Sequence, residues 1–433
     1  MVAMNEAKSN ASFVPEVPES LEDVRLPYYV LEGIVLRTVY YRRELTGGQI
    51  AEELGLPFYG VLEVVLDTMR DSRLLEITGG DLSAISYRFA ITELGREMAF
   101  KSMQLTTYTG TAPVSLEEYV AGMSLQSFSG KVVDWDSLRK AFQDLIFDES
   151  ILAQVGPAIN SGRSLFLYGP PGNGKTSIAE RLVRVMGDAI FIPECLEVRG
   201  HVVKLFDPFN HREAKAEDDL RASLPFDRRW RLIRRPFLIV GGELTLESLD
   251  LNWNEQALYY EAPLQLKANG GGLMIDDFGR QRVDPKALLN RWIVPLERKV
   301  DFLTLATGAK IQVPFDELVI FSTNLDPKDL VDEAFLRRIR YKIGIESPSL
   351  ENFRRIWALE CAKRRLPYEQ SHVDYLLQKH LQPRNIALRA CHARDVLDHV
   401  EDICRFNGWK STVTAELIDA ACEAYFVSTS GRV

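Results

Sequence analysis

The sequence is poor in several things that would each point to a definite chemistry. Its five cysteines, Cys195, Cys361, Cys391, Cys404 and Cys422, are scattered without a CxxC pair. That usage suits a reducing compartment, where cysteine serves as a small hydrophobe. Its six histidines show no HExxH or other metal spacing, so no zinc site is expected. No stretch approaches ~18 uninterrupted apolar residues, which excludes a membrane-spanning helix. The first 20 residues, MVAMNEAKSNASFVPEVPES, lack an apolar signal core and read as a disordered lead-in. The expected location is cytoplasmic. Positive charge is also short. Lys and Arg number 52 against 61 Asp and Glu, a net charge of −9, so bulk electrostatics will not wrap this chain around nucleic acid, although a local basic patch can still exist. What remains is an ordinary globular composition, 46% hydrophobic, long enough for two or three domains.

Against that background one stretch stands out. GPPGNGKT, Gly169 to Thr176, fits G-x-x-x-x-G-K-[ST]. The apolar run before it, residues 164 to 168, reads as a buried parallel strand. SIAERLVRVMG after it reads as a helix, with Ile178, Leu182, Val185 and Met186 at helical spacing. Gly169, Gly172 and Gly174 let the backbone turn its N–H groups inward around a phosphate chain. Pro170, Pro171 and Asn173 complete the loop, and Ser177 follows it into the helix, whose positive end adds to the attraction. Lys175 is placed to reach the β- and γ-phosphates of ATP, and Thr176 to hold Mg²⁺.

Such a loop needs an acid at the end of a neighbouring strand, and GGGLMIDDFG, residues 270 to 279, supplies one. Asp276 sits where Mg²⁺ is coordinated. Asp277 is the candidate that polarises the attacking water. LVIFSTNLD, residues 318 to 326, is a further apolar strand ending in Asn324, whose side chain can hold that water. DEAFLRRIRYKI follows, with Arg337, Arg338 and Arg340 close together; alone, such a run also reads as a solvated helix face.

Taken together, roughly residues 124 to 427 resemble the AAA+ ATPase family. In that family's terms GPPGNGKT resembles Walker A, LMIDD Walker B and STN sensor 1. FLRRI resembles the segment that carries the arginine finger, with Arg338 the first choice and Arg337 the second. A finger acts at a neighbouring subunit's γ-phosphate, so the resemblance implies a ring homo-oligomer, most often a hexamer. One position departs from the pattern: the family's usual second acid is Glu, and here it is Asp277, one methylene shorter. Hydrolysis is expected, and the shorter acid does not fix its rate.

Residues 21–103 read as a separate α+β domain similar to a winged helix: a helix, a helix–turn–helix near Gly55 and Pro57, a two-stranded wing and a closing helix. Nine Lys/Arg stand against thirteen Asp/Glu there, and the would-be recognition helix offers Glu63 and Asp67, with Arg70 only at its end. A DNA reader needs donors on that helix, so this domain is read as a protein-docking module in preference to a DNA binder. Residues 104–135 read as a linker and entry segment in which Tyr108 and Tyr119 either pin it to a neighbouring surface or, as the preferred reading, are exposed aromatics. Residues 136–348 form the α/β nucleotide-binding core with its parallel sheet.

The 101-residue gap between Lys175 and Asp276 implies an insertion near 197–262. It carries Arg228, Arg229, Arg231, Arg234 and Arg235, read as surface and inter-subunit pairing rather than as a client or phosphate contact, and Gly241-Gly242 as a turn between two strands. PKALLNRWIVPLERK reads as one helix. A second insertion near 299–316 reads as a β-hairpin turning at Gly308. A hairpin there resembles the pre-sensor-1 group, which includes MoxR-type chaperones, magnesium-chelatase subunits and enhancer-binding activators; the absence of a GAFTGA loop argues against the last. Residues 349–433 resemble the family's helical lid, with Arg394 resembling sensor 2 and Arg389 as the alternative. The expected function is an ATP- and Mg²⁺-dependent motor that remodels a protein client in a chaperone-like way. A DNA-directed ATPase and a slow nucleotide-gated switch are the competing readings.

Overall fold

The computed structural model describes residues 13–81, 83–128, 132–187, 189–330 and 333–426. The chain divides into two compact units. The first comprises Met1–Gly130, Met186–Leu273 and Ala287–Leu318, and the second Lys131–Val185, Met274–Lys286 and Val319–Val433. No helix among the described residues is long and apolar enough to cross a membrane.

Three apolar runs build the sheet that carries the glycine-rich loop. Gly272–Ile275 and Leu318–Thr323 are buried at every residue, and Leu165–Tyr168 at all but its last. Continuous burial without alternation is the mark of a parallel strand. The five strands run in the order Phe237–Val240, Gly272–Ile275, Leu318–Thr323, Leu165–Tyr168, Tyr341–Gly344. Leu165–Tyr168 is parallel to both of its neighbours. The expected α/β core with a parallel sheet is what the chain forms.

The tail is helical, over Leu350–Lys363, Gln370–Tyr375, Cys391–Phe406 and Ala415–Tyr425. Two of these helices start on side-chain caps: Ser349 accepts from the Asn352 N–H and Thr414 from the Leu417 N–H. Their apolar faces close a core of their own around Phe353, Trp357, Val396, Val400 and Ile418.

In the first unit, Tyr28–Arg42, Gly47–Leu54, Glu63–Asp71 and Glu93–Met103 are helices. A three-stranded sheet ordered Glu44–Thr46, Arg88–Ile91, Leu75–Gly79 accompanies them. The helix at Gly47 begins in a reciprocal capping box between Thr46 and Gln49 and ends at Gly55, whose φ of 67° needs glycine. The core of this segment does not close at residue 103, because Tyr108, Ala112, Cys195 and Val202 belong to it.

Several expectations are corrected. Residues 104–135 are more than a linker: they include the strand Val114–Ser115 and the helix Leu116–Gln126. Tyr108 and Tyr119 are buried, because each hydroxyl has an internal partner, the Thr111 carbonyl at 3.1 Å and the Asn269 amide at 2.9 Å. Of the lead-in, residues 1–12 lie outside the described residues, while Phe13 sits edge-on to Phe191 and Trp230.

Of the arginine cluster only Arg229 is buried; Arg228 and Arg234 are exposed, and Arg231 and Arg235 half-buried. Arg229 is 1% exposed, pairs with buried Asp227 at 2.7 Å and donates to the Val24 carbonyl. Arg231 pairs with Glu194 and Glu213, Arg234 with Asp218, and Arg235 donates to the Gln126 carbonyl. The run after Gly241-Gly242 is not a strand, since the Glu243 carboxylate takes the Gly241 N–H and a single helical turn, Glu247–Leu249, follows. The helix expected over 285–299 is two, Pro285–Arg291 and Ile293–Arg298, because Pro295 has no N–H for the Arg291 carbonyl. The hairpin is present, Val300–Thr304 against Lys310–Pro314, with Gly308 at φ 81°.

Between that hairpin and the Asn324 strand lies Glu317, 1% exposed, with neither carboxylate oxygen hydrogen-bonded. Burial pushes its pKa well above the usual 4.5; Asp316 and Asp301 push the same way and Lys299 opposes them. The folded chain therefore keeps a proton that the unfolded chain releases. Stability is present below about pH 4.5 and drains as pH rises toward the folded pKa, by roughly 1.4 kcal/mol per unit of difference. Glu317→Gln removes that slope. Thermal melts of the two proteins from pH 5 to 8 should diverge, the variant becoming the more stable at the upper end; parallel curves would contradict the assignment.

Candidate functional site

The loop between the Leu165–Tyr168 strand and the Lys175–Val185 helix owes its shape to three left-handed glycines, Gly169 at φ 132°, Gly172 at 79° and Gly174 at 86°. Two of them are also boxed in. A Cβ on Gly169 would lie 2.3 Å from the Ile345 carbonyl oxygen, and one on Gly172 would lie 2.5 Å from the Cys391 Sγ. Pro170, Pro171 and Thr176 are exposed around the loop, Ser177 is half-buried, and Asn173 is buried.

Lys175 opens the helix and is 8% exposed. Its ammonium donates to the carbonyls of Gly169 (2.8 Å) and Pro170 (3.1 Å) and to the Asn324 Oδ1 (2.7 Å). Among the described residues it forms no ion pair. Burial lowers its pKa, against the attraction of Asp276 and Asp277.

Asp276 follows the Gly272–Ile275 strand directly and is half-buried. Asp277 comes next in a left-handed backbone conformation, φ 49°, which turns the chain out of the strand direction. Its own N–H donates to the Asp276 Oδ1 at 3.0 Å. Asn324, just past the Leu318–Thr323 strand, donates from Nδ2 to the Asp277 Oδ1 at 3.0 Å. Lys175, Asn324 and Asp277 thus form one hydrogen-bonded chain.

These groups line a cavity of about 440 Å³. Its other wall was not foreseen from the sequence: Leu145 and Phe147 on one side, Ile356 and Leu359 of the Leu350–Lys363 helix on another. No motif marks these residues; they are ordinary apolar positions that the fold brings together. Cys391 was also missed. Its N–H donates to the Gly172 carbonyl at 2.8 Å, and the preceding Ala390 N–H donates to the Asn173 Oδ1 at 3.1 Å. The start of the Cys391–Phe406 helix is therefore fastened to the glycine-rich loop.

Arg394 lines the cavity but pairs with Asp395 at 2.8 Å, and its side chain is 61% exposed. Arg389, the alternative, is nearer the loop. Its Cδ would be 3.8 Å from a Gly172 Cβ, its Nε is buried without a hydrogen bond, and its charge is felt at Lys175. Arg337 and Arg338 lie just after the short helix Glu333–Leu336, Arg337 exposed and Arg338 half-buried, and neither lines the cavity.

A family model described as a domain of unknown function (DUF8689) matches residues 349–424. No curated protein matches the chain. Among solved structures the chain is similar to the RuvB Holliday junction branch migration motor of Thermotoga maritima, at 13% identity and a TM-score of 0.39, covering 66% of this chain and 73% of that one. It is also similar to NtrX from Brucella abortus in complex with ATP, at 14% identity and a TM-score of 0.40, covering 77% of this chain and 63% of that one.

The contact at Gly172 yields a direct test. Gly172→Ala strains a φ of 79° and drives a methyl into Cys391. The amides of Ala390 and Cys391 should exchange hydrogen at least about tenfold faster in that variant, while the helix's middle stays protected. Unchanged protection at those two amides would mean the loop does not hold the helix.

Proposed function

We propose that this chain is a P-loop ATPase of the AAA+ type, binding ATP with Mg²⁺, acting as a ring homo-oligomer and remodelling a protein client. The observation that carries the reading is the Lys175–Asn324–Asp277 chain at the mouth of the glycine-rich loop, with Asp276 beside it. A buried ammonium that forms no ion pair among the described residues is suited to receive an anion. The strand order, with the loop-bearing strand between the Asn324 strand and Tyr341–Gly344, supports the same family.

The residues present fit both groups. Lys175 and the loop N–H groups suit a triphosphate, and the hard oxygens of Asp276 and Thr176 suit Mg²⁺. When bound, the metal neutralises charge on the phosphate oxygens. Lys175 must exchange its two carbonyl acceptors and Asn324 for phosphate oxygens. That exchange frees the Asn324 Oδ1, which can then accept from a water while Nδ2 keeps Asp277 in place. Asp277 takes the proton of that water. Arg389 and Arg394 stand on the side of the C-terminal helices, the expected lid, where a cation can sense the phosphates. Arg337 and Arg338 do not line their own chain's cavity, as a finger serving a neighbouring copy requires.

The helix Glu63–Asp71 favours a protein partner over DNA. Its Arg70 is neutralised by Asp67 at 2.9 Å and by Asp71 at 3.3 Å, and Glu63 adds another negative charge.

Lys175→Ala should weaken ATP binding at least about tenfold and abolish turnover. Asp277→Asn should bind ATP like the parent and lose about 10²-fold or more in turnover. Turnover by Asp277→Asn at the parent rate would remove Asp277 as the base. Replacing Arg337 and Arg338 together should cost about 10³-fold in turnover without changing ATP binding. A chain that remains one copy by light scattering with ATP and Mg²⁺, indifferent to that double change, would remove the ring.

A further inference from the structure

A separate cavity of about 480 Å³ lies in the first unit and shares no residue with the site described above. It is walled by the flanks of the single turn Glu247–Leu249, by Trp253 of the strand Asn252–Asn254, by Tyr260 of the strand Tyr259–Glu261, and by the end of the hairpin from Thr304 to Ala306. The wall is preformed. Trp253 and Tyr260 are opposite each other on an antiparallel pair, so their rings share a face, with centroids 4.7 Å apart at 54°. His201 stands edge-on to both rings. The Tyr260 hydroxyl accepts from the Ala306 N–H at 2.8 Å. The Asp250 Oδ1 accepts from the N–H groups of Leu251, at 2.9 Å, and Thr304, at 2.8 Å. Those bonds tie the hairpin's end to the aromatic pair and use one Asp250 oxygen; the other has no hydrogen bond among the described residues.

Aromatic surface and negative charge meet here without a cation. Tyr260 is 1% exposed and Trp253 half-buried, so the indole is the ring that a ligand meets. Glu247 is exposed, and hydrogen bonds from its own N–H and from the Thr245 hydroxyl hold its carboxyl below the usual range. Neither Glu247 nor Asp250 forms an ion pair among the described residues, and no lysine or arginine lines the cavity. Lys310, opposite Thr304 on the hairpin, is not part of the wall. An indole beside two unpaired carboxylates matches a guanidinium, which stacks on the ring by its plane and donates to carboxylate by its edge. The same carboxylates repel a phosphate backbone.

We propose that this cavity is a docking site for an arginine side chain of a protein partner. The guanidinium stacks on Trp253 and donates to the free Asp250 oxygen and to Glu247. The stem of the side chain packs against Leu246, which is 41% exposed. The site rests on the protein-client reading above only in that its partner is a protein, and recognition there needs no nucleotide.

The test uses the full chain without nucleotide. The indole N–H resonance of Trp253, identified by its loss in Trp253→Phe, is followed while acetyl-arginine methylamide is titrated in. Acetyl-lysine methylamide and acetyl-citrulline methylamide are the comparisons; citrulline keeps the shape of arginine and lacks its charge. The arginine ligand should shift the resonance saturably, bind at least about tenfold more tightly than the citrulline ligand, and bind more tightly than the lysine ligand. Glu247→Gln combined with Asp250→Asn should weaken the arginine ligand about tenfold. The new asparagine can still accept from the Leu251 and Thr304 N–H groups, so the other indole resonances should stay in place. No shift with the arginine ligand, or equal affinity for citrulline, overturns the site. Lysine bound as tightly as arginine overturns the guanidinium assignment, and undiminished binding by the double variant overturns the carboxylates as its acceptors. ATP affinity measured on the same samples keeps the two readings apart: ATP bound without arginine removes this site alone, and arginine bound without ATP removes the nucleotide reading alone.

Discussion

A buried cation that forms no ion pair among the described residues governs the second unit. Lys175 is held by three neutral oxygens, two of them carbonyls of the loop that ends in it. Neutral acceptors stabilise an ammonium less than a carboxylate would, and burial tells in its lowered pKa. The arrangement is stable enough to fold and poor enough to yield to an anion. Asn324 shares in it from one end and Asp277 from the other, so a change at the lysine reaches the acid through two hydrogen bonds. Had an aspartate paired with Lys175 directly, the loop would be better satisfied and less receptive.

Much of this was legible in the sequence because short-range chemistry dictates it. The glycines of GPPGNGKT are needed for backbone angles that other residues resist, and the angles are there. The apolar runs before Asp276 and Asn324 have no polar interruption; alone such a run also suits a turn or a buried helix, and it is the glycine-rich loop beside them that favours strands, which both are. What was not legible depends on distant partners. Tyr108 and Tyr119 have the same composition whether their hydroxyls find a mate or not; the mates, Thr111 and Asn269, cannot be inferred from local spacing. Five arginines in eight residues look like a surface, yet Arg229 reaches Val24 and Asp227 in the interior. The apolar wall of the Lys175 cavity, from Phe147 to Leu359, has no motif at all.

The glycines of the loop do more than turn it. At Gly172 the missing side chain makes room for Cys391, and the backbone there accepts from the Cys391 N–H. The first residues of that helix therefore spend donors on the loop that would otherwise be unsatisfied within the helix. The same donors are those a helix start offers to an anion. The C-terminal helices are thus tied to the loop by contacts that a ligand filling the Lys175 cavity would have to respect or replace, which is a physical reason for ligand and helix position to be linked.

The covalent path adds a second link. Gly272–Ile275 and Leu318–Thr323 each begin in the first unit and finish in the second. Asp276 and Asn324 sit at their finishing ends, and buried Glu317 precedes the second of them by one residue. Strands are stiff along their axes, because the backbone has few soft dihedrals to absorb a pull. The Val300–Thr304/Lys310–Pro314 hairpin ends three residues before Glu317, so along the chain that buried carboxyl and one buried strand separate it from Asn324.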